Sequence, residues 1–374
     1  MFCTANEYIA LPEIEDDGSI LSFNTLYMAY KGIIEYKGRP VIKVDVTVEG
    51  EKVSLKYSES VLNWFHVFRG SLCGVEVELT IVAPIEKKGF FYRLRFWNKR
   101  EKQVSVSISV ITDVGGIFHT VNESKEYDGN TYTYISNWDG APVFDIRLGF
   151  PVLALSTSSD QDTLWEIRKT GFIGNTEILL TPGEEKSLHY YWGLGYEDIS
   201  AVTTVRDLLR IGGDALIDET MEYLSKVIKH SEDKKLIETI NTNLIFSLFY
   251  STGMTIDTEE FVSVTSRSPR YYVSAAYWDR DSLLWSLPAI CLGDKNKARK
   301  LIEYAFTTQM KNVGIHSRYI DGTVLEPGFE LDELCAPVIG LEKYISLTGD
   351  DSILKKSFIT EGLEKIRSII TVMM

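Results

Sequence analysis

Residues 278–282 read Trp-Asp-Arg-Asp-Ser, which puts an aromatic ring, two carboxylates and a guanidinium in five positions at the start of a predicted helix. They lie within the longer segment YYVSAAYWDRDSLLW, residues 271–285. Such a set can recognise a polyhydroxylated ring. The guanidinium donates a fork of hydrogen bonds, a carboxylate accepts from paired hydroxyls, and the indole covers an apolar ring face. The same residues also fit a helix N-terminus whose acids are stabilised by the dipole and whose arginine makes a local ion pair. Spacing alone leaves both readings open.

A second stretch, GIHSRYIDGTVLEPGFELDE at 314–333, carries His316, Arg318, Asp321, Glu326, Glu330, Asp332 and Glu333. Gly314, Gly322, Pro327 and Gly328 predict a long loop between two helices, and loops of this length in compact domains are mostly functional. Several carboxylates beside an arginine and a histidine could build a polar pocket; a solvated acidic loop is the competing reading. Glu330, Asp332 and Glu333 also open a predicted helix, where acids are favoured in any case.

The elements that must position these residues change near residue 200. Before it, period-two alternation predicts strands over 41–48, 75–82, 89–97 and 104–111, with further candidates at 131–138, 163–167 and 187–192. Asp17-Gly18, Asp128-Gly129 and Pro182-Gly183 mark turns between such runs. Strands without intervening helices predict an antiparallel β-sandwich over 1–197. Residues 198–230 read as a helical linker interrupted by Gly212-Gly213. A helical domain follows over 231–374, with helices expected at about 231–248, 279–292, 295–310, 331–347 and from 350 or 351 onward.

Length and composition fit this division. A chain of 374 residues suits two domains, and a hydrophobic fraction of 44% suffices for two packed cores. The 20 Tyr, 17 Phe and 7 Trp serve sheet cores or ring-stacking surfaces. A formal net charge of −14 disfavours nucleic acid and anionic membranes as partners and suits neutral polyols. Cys3, Cys73, Cys291 and Cys335 show no CxxC spacing, so neither a disulfide framework nor a metal site is expected. No signal peptide and no membrane-spanning segment are read, and the expected location is cytoplasmic.

The segment YWDRDS resembles the aromatic-x-Arg-Asp-Ser signature of α/α-barrel (six-hairpin) glycosidases, among them glucoamylases, debranching amyloglucosidases and the metal-independent α-mannosidases of glycoside hydrolase family 125. Residues 329–339, FELDELCAPVI, resemble the Glu-Leu/Ile-Asp-Ser-Leu-Cys-x-Pro-Ile run of that mannosidase family. The Gly-Leu-Glu-Lys-Tyr continuation at 340–344 and the Thr-Gly-Asp stop at 348–350 match it too. The resemblance covers roughly residues 230–370, with both motifs in order. The sandwich resembles, in architecture only, the domain that precedes the barrel in bacterial glucoamylases and sugar phosphorylases. Two positions depart from the pattern: Asp279 replaces an apolar residue and Glu333 replaces a serine.

The resemblance implies an N-terminal sandwich followed by an (α/α)6 toroid, here incomplete, since only about half of the helices such a ring needs are predicted. It implies an exo-acting, inverting α-glycoside hydrolase, or its N-terminal fragment, with α-mannoside as the leading substrate. The alternatives are an α-glucosidase of the glucoamylase or debranching type and a non-catalytic carbohydrate-binding fragment. Arg280 and Asp281 would hold the terminal sugar, with Trp278, Asp279, His316, Arg318, Glu330 and Asp332 around them. Inversion needs an acid and a base about 6.5–9.5 Å apart. In the resembling mannosidases both lie downstream of the second motif, beyond residue 374 by alignment, and Asp332 and Glu333 are the fallback. No metal or cofactor is expected. An oligosaccharide or other α-glycoside is the expected partner. Self-association is expected through apolar faces left open on the helix 331–347 and around Ile359, Leu363 and Ile366.

Overall fold

Alternating apolar residues on consecutive strands can bury one face of each strand only by pairing sheet against sheet. The computed structural model describes residues 2–148 and 153–373. The chain divides into two units. One comprises Met1–Thr25, Ile34–Phe118 and Glu126–Tyr223; the other comprises Leu26–Ile33, His119–Lys125 and Leu224–Met374.

The first unit is built on two large antiparallel sheets. A ten-stranded sheet runs in the order Phe2–Ala5, Ile9–Ile14, Ile20–Tyr27, Gly32–Val48, Val104–Asp113, Gly171–Leu180 and Leu164–Arg168, with three short strands off this path. An eight-stranded sheet runs Asn130–Ile135, Pro142–Leu148, Leu153–Ser159, Glu185–Gly195, Gly89–Asn98, Val75–Val82, Phe65–Leu72 and Lys56–Val61. Aromatic residues of the two sheets meet between them. Phe23 stacks on Tyr36 at 4.7 Å and tilts against Phe90 at 5.3 Å, and Phe90 stacks on Trp192 at 5.5 Å. The polar tips in this layer are satisfied: Trp192 Nε1 donates to Thr112 at 3.0 Å, and the Tyr190 hydroxyl to Thr176 at 2.7 Å. The strand-rich half expected from alternation is thus two facing antiparallel sheets. Helix α1 (Asp198–Ile211) packs on the eight-stranded sheet, where Ala201 and Val202 join Ala141, Val143 and Ala154 in a small core. Helix α2 (Gly213–Val227) follows.

The second unit holds helices α3 (Lys234–Tyr250), α4 (Leu287–Gly293), α5 (Lys295–Phe306), α6 (Leu331–Thr348) and α7 (Ser357–Met373). Their ends follow capping chemistry. Asp233 accepts from Leu236 N–H at 3.0 Å, Asp294 accepts from Asn296 N–H at 2.9 Å, and Gly349 ends α6 at φ 74 in the left-handed region. Helix α4 packs against α3, α5 and α6, and α5 packs against α6 and α7.

Two expectations change here. The stretch 314–333 is a β-hairpin rather than an irregular loop: Ile315–Arg318 pairs with Val324–Phe329 across Gly322 at φ 79. The apolar face of the last helix is not open either. Ile359 and Ile366 are buried, because Gly362 lets α7 approach Phe306 of α5 and Met310 closely enough that a Cβ there would stand 2.7 Å from the Phe306 ring. Leu331, Val338, Ile339 and Leu347 are the exposed large apolar residues of α6. Among the described residues no helix is long and apolar enough to cross a membrane.

Candidate functional site

One pair of backbone hydrogen bonds joins the two sequence motifs. Tyr277 N–H donates to the Arg318 carbonyl at 2.9 Å, and Arg318 N–H donates back at 3.1 Å. Alternation puts Tyr277 and Asp279 on one side and Trp278 on the other, while register shifts along Ile315–Arg318 part Arg318 from His316, two residues before it. Trp278 and His316 meet edge to face at 5.6 Å. Tyr277 and Arg318 meet on the buried side, with the guanidinium 5.0 Å from the ring centroid.

The chain then enters a π-helical turn, Arg280–Ser286, ahead of α4. Its cause is legible in the sequence. Pro288 has no N–H to donate to the Leu284 carbonyl and its ring crowds that oxygen, so the helix widens. Leu287 N–H bonds to the Ser282 carbonyl, five residues back, and Lys343 Nζ takes the Leu284 carbonyl at 3.4 Å. Gly340 of α6 packs against this turn: a Cβ there would sit 2.9 Å from Leu283 Cβ. The wide turn sets the direction in which Arg280, Asp281 and Trp285 leave the backbone.

Below the turn lies an ionic core. Asp279, Arg318 and Glu333 are all fully buried. Asp279 accepts from the Tyr277 hydroxyl at 2.7 Å and pairs with Arg318 Nη2. Glu333 accepts from the Asp279 N–H at 2.6 Å and lies 3.3 Å from the same Nη2. Two buried carboxyls around one buried guanidinium balance in charge only if one keeps its proton. Burial, reinforced by the Asp279 carboxylate, pushes Glu333 up to about 8 against the pull of the Asp279 N–H and of Arg318 and Arg280. Burial also raises Asp279, against the pull of Arg318.

Arg280 is held at the surface of this core. Nη1 lies 2.7 Å from Asp332 and 2.8 Å from Glu330, and Nε lies 3.4 Å from Glu333. None of these pairs uses Nη2. The hydrogen bond from Arg280 holds the Asp332 carboxyl below its ordinary range. His316 joins the network through Nδ1, 2.9 Å from Glu330, and Nε2, 3.4 Å from Glu326. Glu330, Asp332 and Glu333 converge closely enough to hold a cation, yet Arg280 already supplies the positive charge there.

Above the network opens a cavity of about 490 Å³ lined by Asn122, Tyr271, Tyr272, Val273, Trp278, Arg280, Asp281, Trp285, His316 and Glu326. A smaller one of about 270 Å³ shares Tyr271, Asp281 and Trp285 with it, so the two form one cleft. Tyr272 is 76% and Trp285 68% exposed, and their rings are open to solvent. Burial raises the Asp281 carboxyl, while Arg280 and the Thr265 hydroxyl oppose the shift. The turn leading in holds Ser274 at φ 36, a strained conformation for a residue with a side chain.

The predicted set divides by depth. Trp278, Arg280, Asp281 and His316 line the cleft together. Arg318 and Asp279, placed in the same pocket by sequence, lie beneath its wall, because the bridge at Tyr277 turns both inward. Glu330 and Asp332 brace Arg280 and do not line the cavity. Trp278 is only 5% exposed, packed by Val273, Ala276 and Leu325, and leaves little of its ring open to the cleft. The open rings on the lining are those of Tyr272 and Trp285, which sequence reasoning did not single out. Trp285 carries a signal, lying one helical turn after Asp281. Asn122, brought from a distant segment, carries none.

No family model matches the sequence, and no curated protein matches it in sequence. Among solved structures, a protein designated a kojibiose phosphorylase from human microbiome matches at TM-score 0.59 and 11% identity, over 98% of this chain and 56% of that one. A bacterial glucoamylase complexed with acarbose matches at TM-score 0.49 and 12% identity, over 92% of this chain and 56% of that one. The chain therefore spans little more than half the length of these structures. At 11% identity the likeness to the first of these is one of fold alone, and it does not reach the mannosidase family in particular.

Proposed function

We propose that the cleft of the helical unit binds the terminal sugar of an α-linked glycoside, as part of an exo-acting, inverting α-glycoside-cleaving enzyme. One observation carries the reading. The widened turn presents Arg280 and Asp281, a braced donor and an adjacent acceptor, beside the open rings of Tyr272 and Trp285. Donors and acceptors side by side match the vicinal hydroxyls of a pyranose, and the rings match its C–H face. The sequence resemblance favours an α-mannoside. The structural likeness to a kojibiose phosphorylase sets an α-glucoside beside it, together with phosphorolysis in place of hydrolysis.

A second reading, carbohydrate binding without turnover, draws on the two fallback carboxylates. Asp332 is held ionised by Arg280 and serves poorly as an acid. Glu333 keeps its proton to about pH 8 but is fully buried, out of reach of a glycosidic oxygen. Asp281 and Glu326 are the carboxylates on the cleft lining. If Asp281 holds sugar hydroxyls, Glu326 is the one carboxylate of the described lining left for proton transfer, whereas hydrolysis with inversion needs two.

Calorimetric titration with glucose, mannose, kojibiose and an α-linked mannobiose tests binding. Hydrolysis of the nitrophenyl α-glycosides and release of sugar phosphate from kojibiose test turnover. Binding that Arg280→Ala abolishes supports the site; turnover decides between the two readings. Absence of binding by all four sugars overturns the proposal.

A further inference from the structure

The strand-rich unit has a cavity of its own, of about 590 Å³, and no part of the reading above uses it. Tyr132, Tyr134, Asn137, Trp138, Asp198 and Ile199 line it. Tyr132 and Tyr134 are two residues apart on Asn130–Ile135, the edge strand of the eight-stranded sheet, and so project to the same side. Tyr134 rests on the small-residue core formed with α1, which gives the site a packed floor. Its hydroxyl lies 2.8 Å from the Asp198 carboxylate and 3.2 Å from that of Asp145; with one proton it can donate to only one of them at a time.

Trp138 is held in place although 48% of it is exposed. The Arg206 guanidinium sits over the indole at 5.1 Å from the ring centroid, and Asp139 holds Arg206 by an ion pair of 2.7 Å. One ring face is thereby occupied and braced, while Trp138 still lines the cavity. Tyr132 is 46% exposed in the same wall. Two exposed aromatic rings, that of Trp138 braced, share one cavity wall with a carboxylate, an amide and a phenol, and so combine apolar faces with hydrogen-bonding groups. A neutral oligosaccharide alternates C–H faces with hydroxyls in the same way. A purely apolar ligand would leave Asp198 and Asn137 without exchange for their water, and an anion would meet Asp198 and a chain of net charge −14.

We propose that this face of the strand-rich unit is a second carbohydrate site, which takes an internal stretch of a neutral polysaccharide across Tyr132 and Trp138. The site does not depend on the cleft being a sugar site, and the test separates the two.

The full chain and its variants are run by affinity electrophoresis in gels containing glycogen, α-mannan or no polymer. Glycogen and mannan share pyranose chemistry, and the two gels distinguish them. Retardation of the parent in at least one gel is expected. Trp138→Ala and Tyr132→Ala should each weaken it roughly tenfold, as for truncation of an aromatic anchor. Arg206→Ala should weaken it less. The same losses should appear in an Arg280→Ala background, where the cleft is disabled. Both rings are half-exposed, so folding should survive, and melting curves check this. No retardation in either gel overturns the proposal, as does retardation abolished by Arg280→Ala yet untouched by Trp138→Ala and Tyr132→Ala. Dimers of the parent that Trp138→Ala dissolves, with retardation unchanged, would make the face a protein contact and overturn it equally.

Discussion

Glu333 accepts the main-chain N–H of Asp279 at 2.6 Å, and both carboxyls close on the guanidinium of Arg318. These are the two positions at which the motifs depart from the mannosidase pattern they resemble. The departures lie 54 residues apart in sequence and meet in one ionic core. A single carboxylate at either position would already balance Arg318, so with both carboxyls buried there one is held protonated.

Removing the guanidinium should therefore cost fold rather than binding alone. Arg318→Met leaves Asp279 and Glu333 buried without their cation, and truncating one partner of a buried ion network costs on the order of 3–5 kcal/mol. Urea denaturation should show a loss of this size. A midpoint equal to that of the parent would show that Arg318 is not a structural cation.

Stability should fall as pH rises from about 4.5 to about 8 and level off above that. Glu333 has a folded value of about 8 against an ordinary 4.5. An acid with a raised folded value adds stability that is complete below about 4.5 and lost as pH climbs through about 8. Glu333→Gln keeps the neutral form at every pH, so its melting temperature should vary less between about pH 5 and pH 8.5 than that of the parent. An equally steep profile in the variant would remove Glu333 as the cause.

Arg280→Ala should separate binding from folding. Its ion pairs with Glu330 and Asp332 lie at a partly exposed surface, where such pairs contribute about 0–1 kcal/mol each. Sugar affinity should drop beyond detection while the melting temperature moves by only a few degrees. A large stability loss with unaltered affinity would mark Arg280 as structural.

Trp285→Ala and Tyr272→Ala should weaken binding without unfolding, because both rings face solvent. If the rings extend the site beyond the terminal sugar, a disaccharide should lose more affinity than a monosaccharide. Equal losses for the two ligands would place the rings against the terminal sugar instead.

Gly340→Val tests the support of the turn. A side chain there drives into Leu283, and overpacking costs roughly 1–3 kcal/mol. Since Leu283 belongs to the turn that carries Arg280, affinity should fall as well. Unchanged affinity in a destabilised protein would show that the turn moves as a rigid piece.

Local chemistry was readable from residues alone wherever it is governed by neighbours in sequence. The strands 75–82, 89–97 and 104–111 follow from strict alternation, and the starts of α3 and α5 follow from Asp233 and Asp294. Arg280, Asp281 and His316 were found as one set because motif spacing survives folding. Depth was not readable. Whether an arginine braces a wall or lines a cleft depends on which side of a strand faces the core; the bridge between Tyr277 and Arg318 settled that for Arg318, Asp279 and Trp278, and the irregular register of Ile315–Arg318 settled it for His316. The hairpin at 315–329 escaped detection because its short strands alternate weakly between glycines and a proline. The open rings of Tyr272 and Trp285, the contribution of Asn122 and the proton on Glu333 were decided by tertiary structure alone. Exposure, proximity and desolvation are properties of what packs around a residue, and for these residues the packing comes from segments far away in the chain.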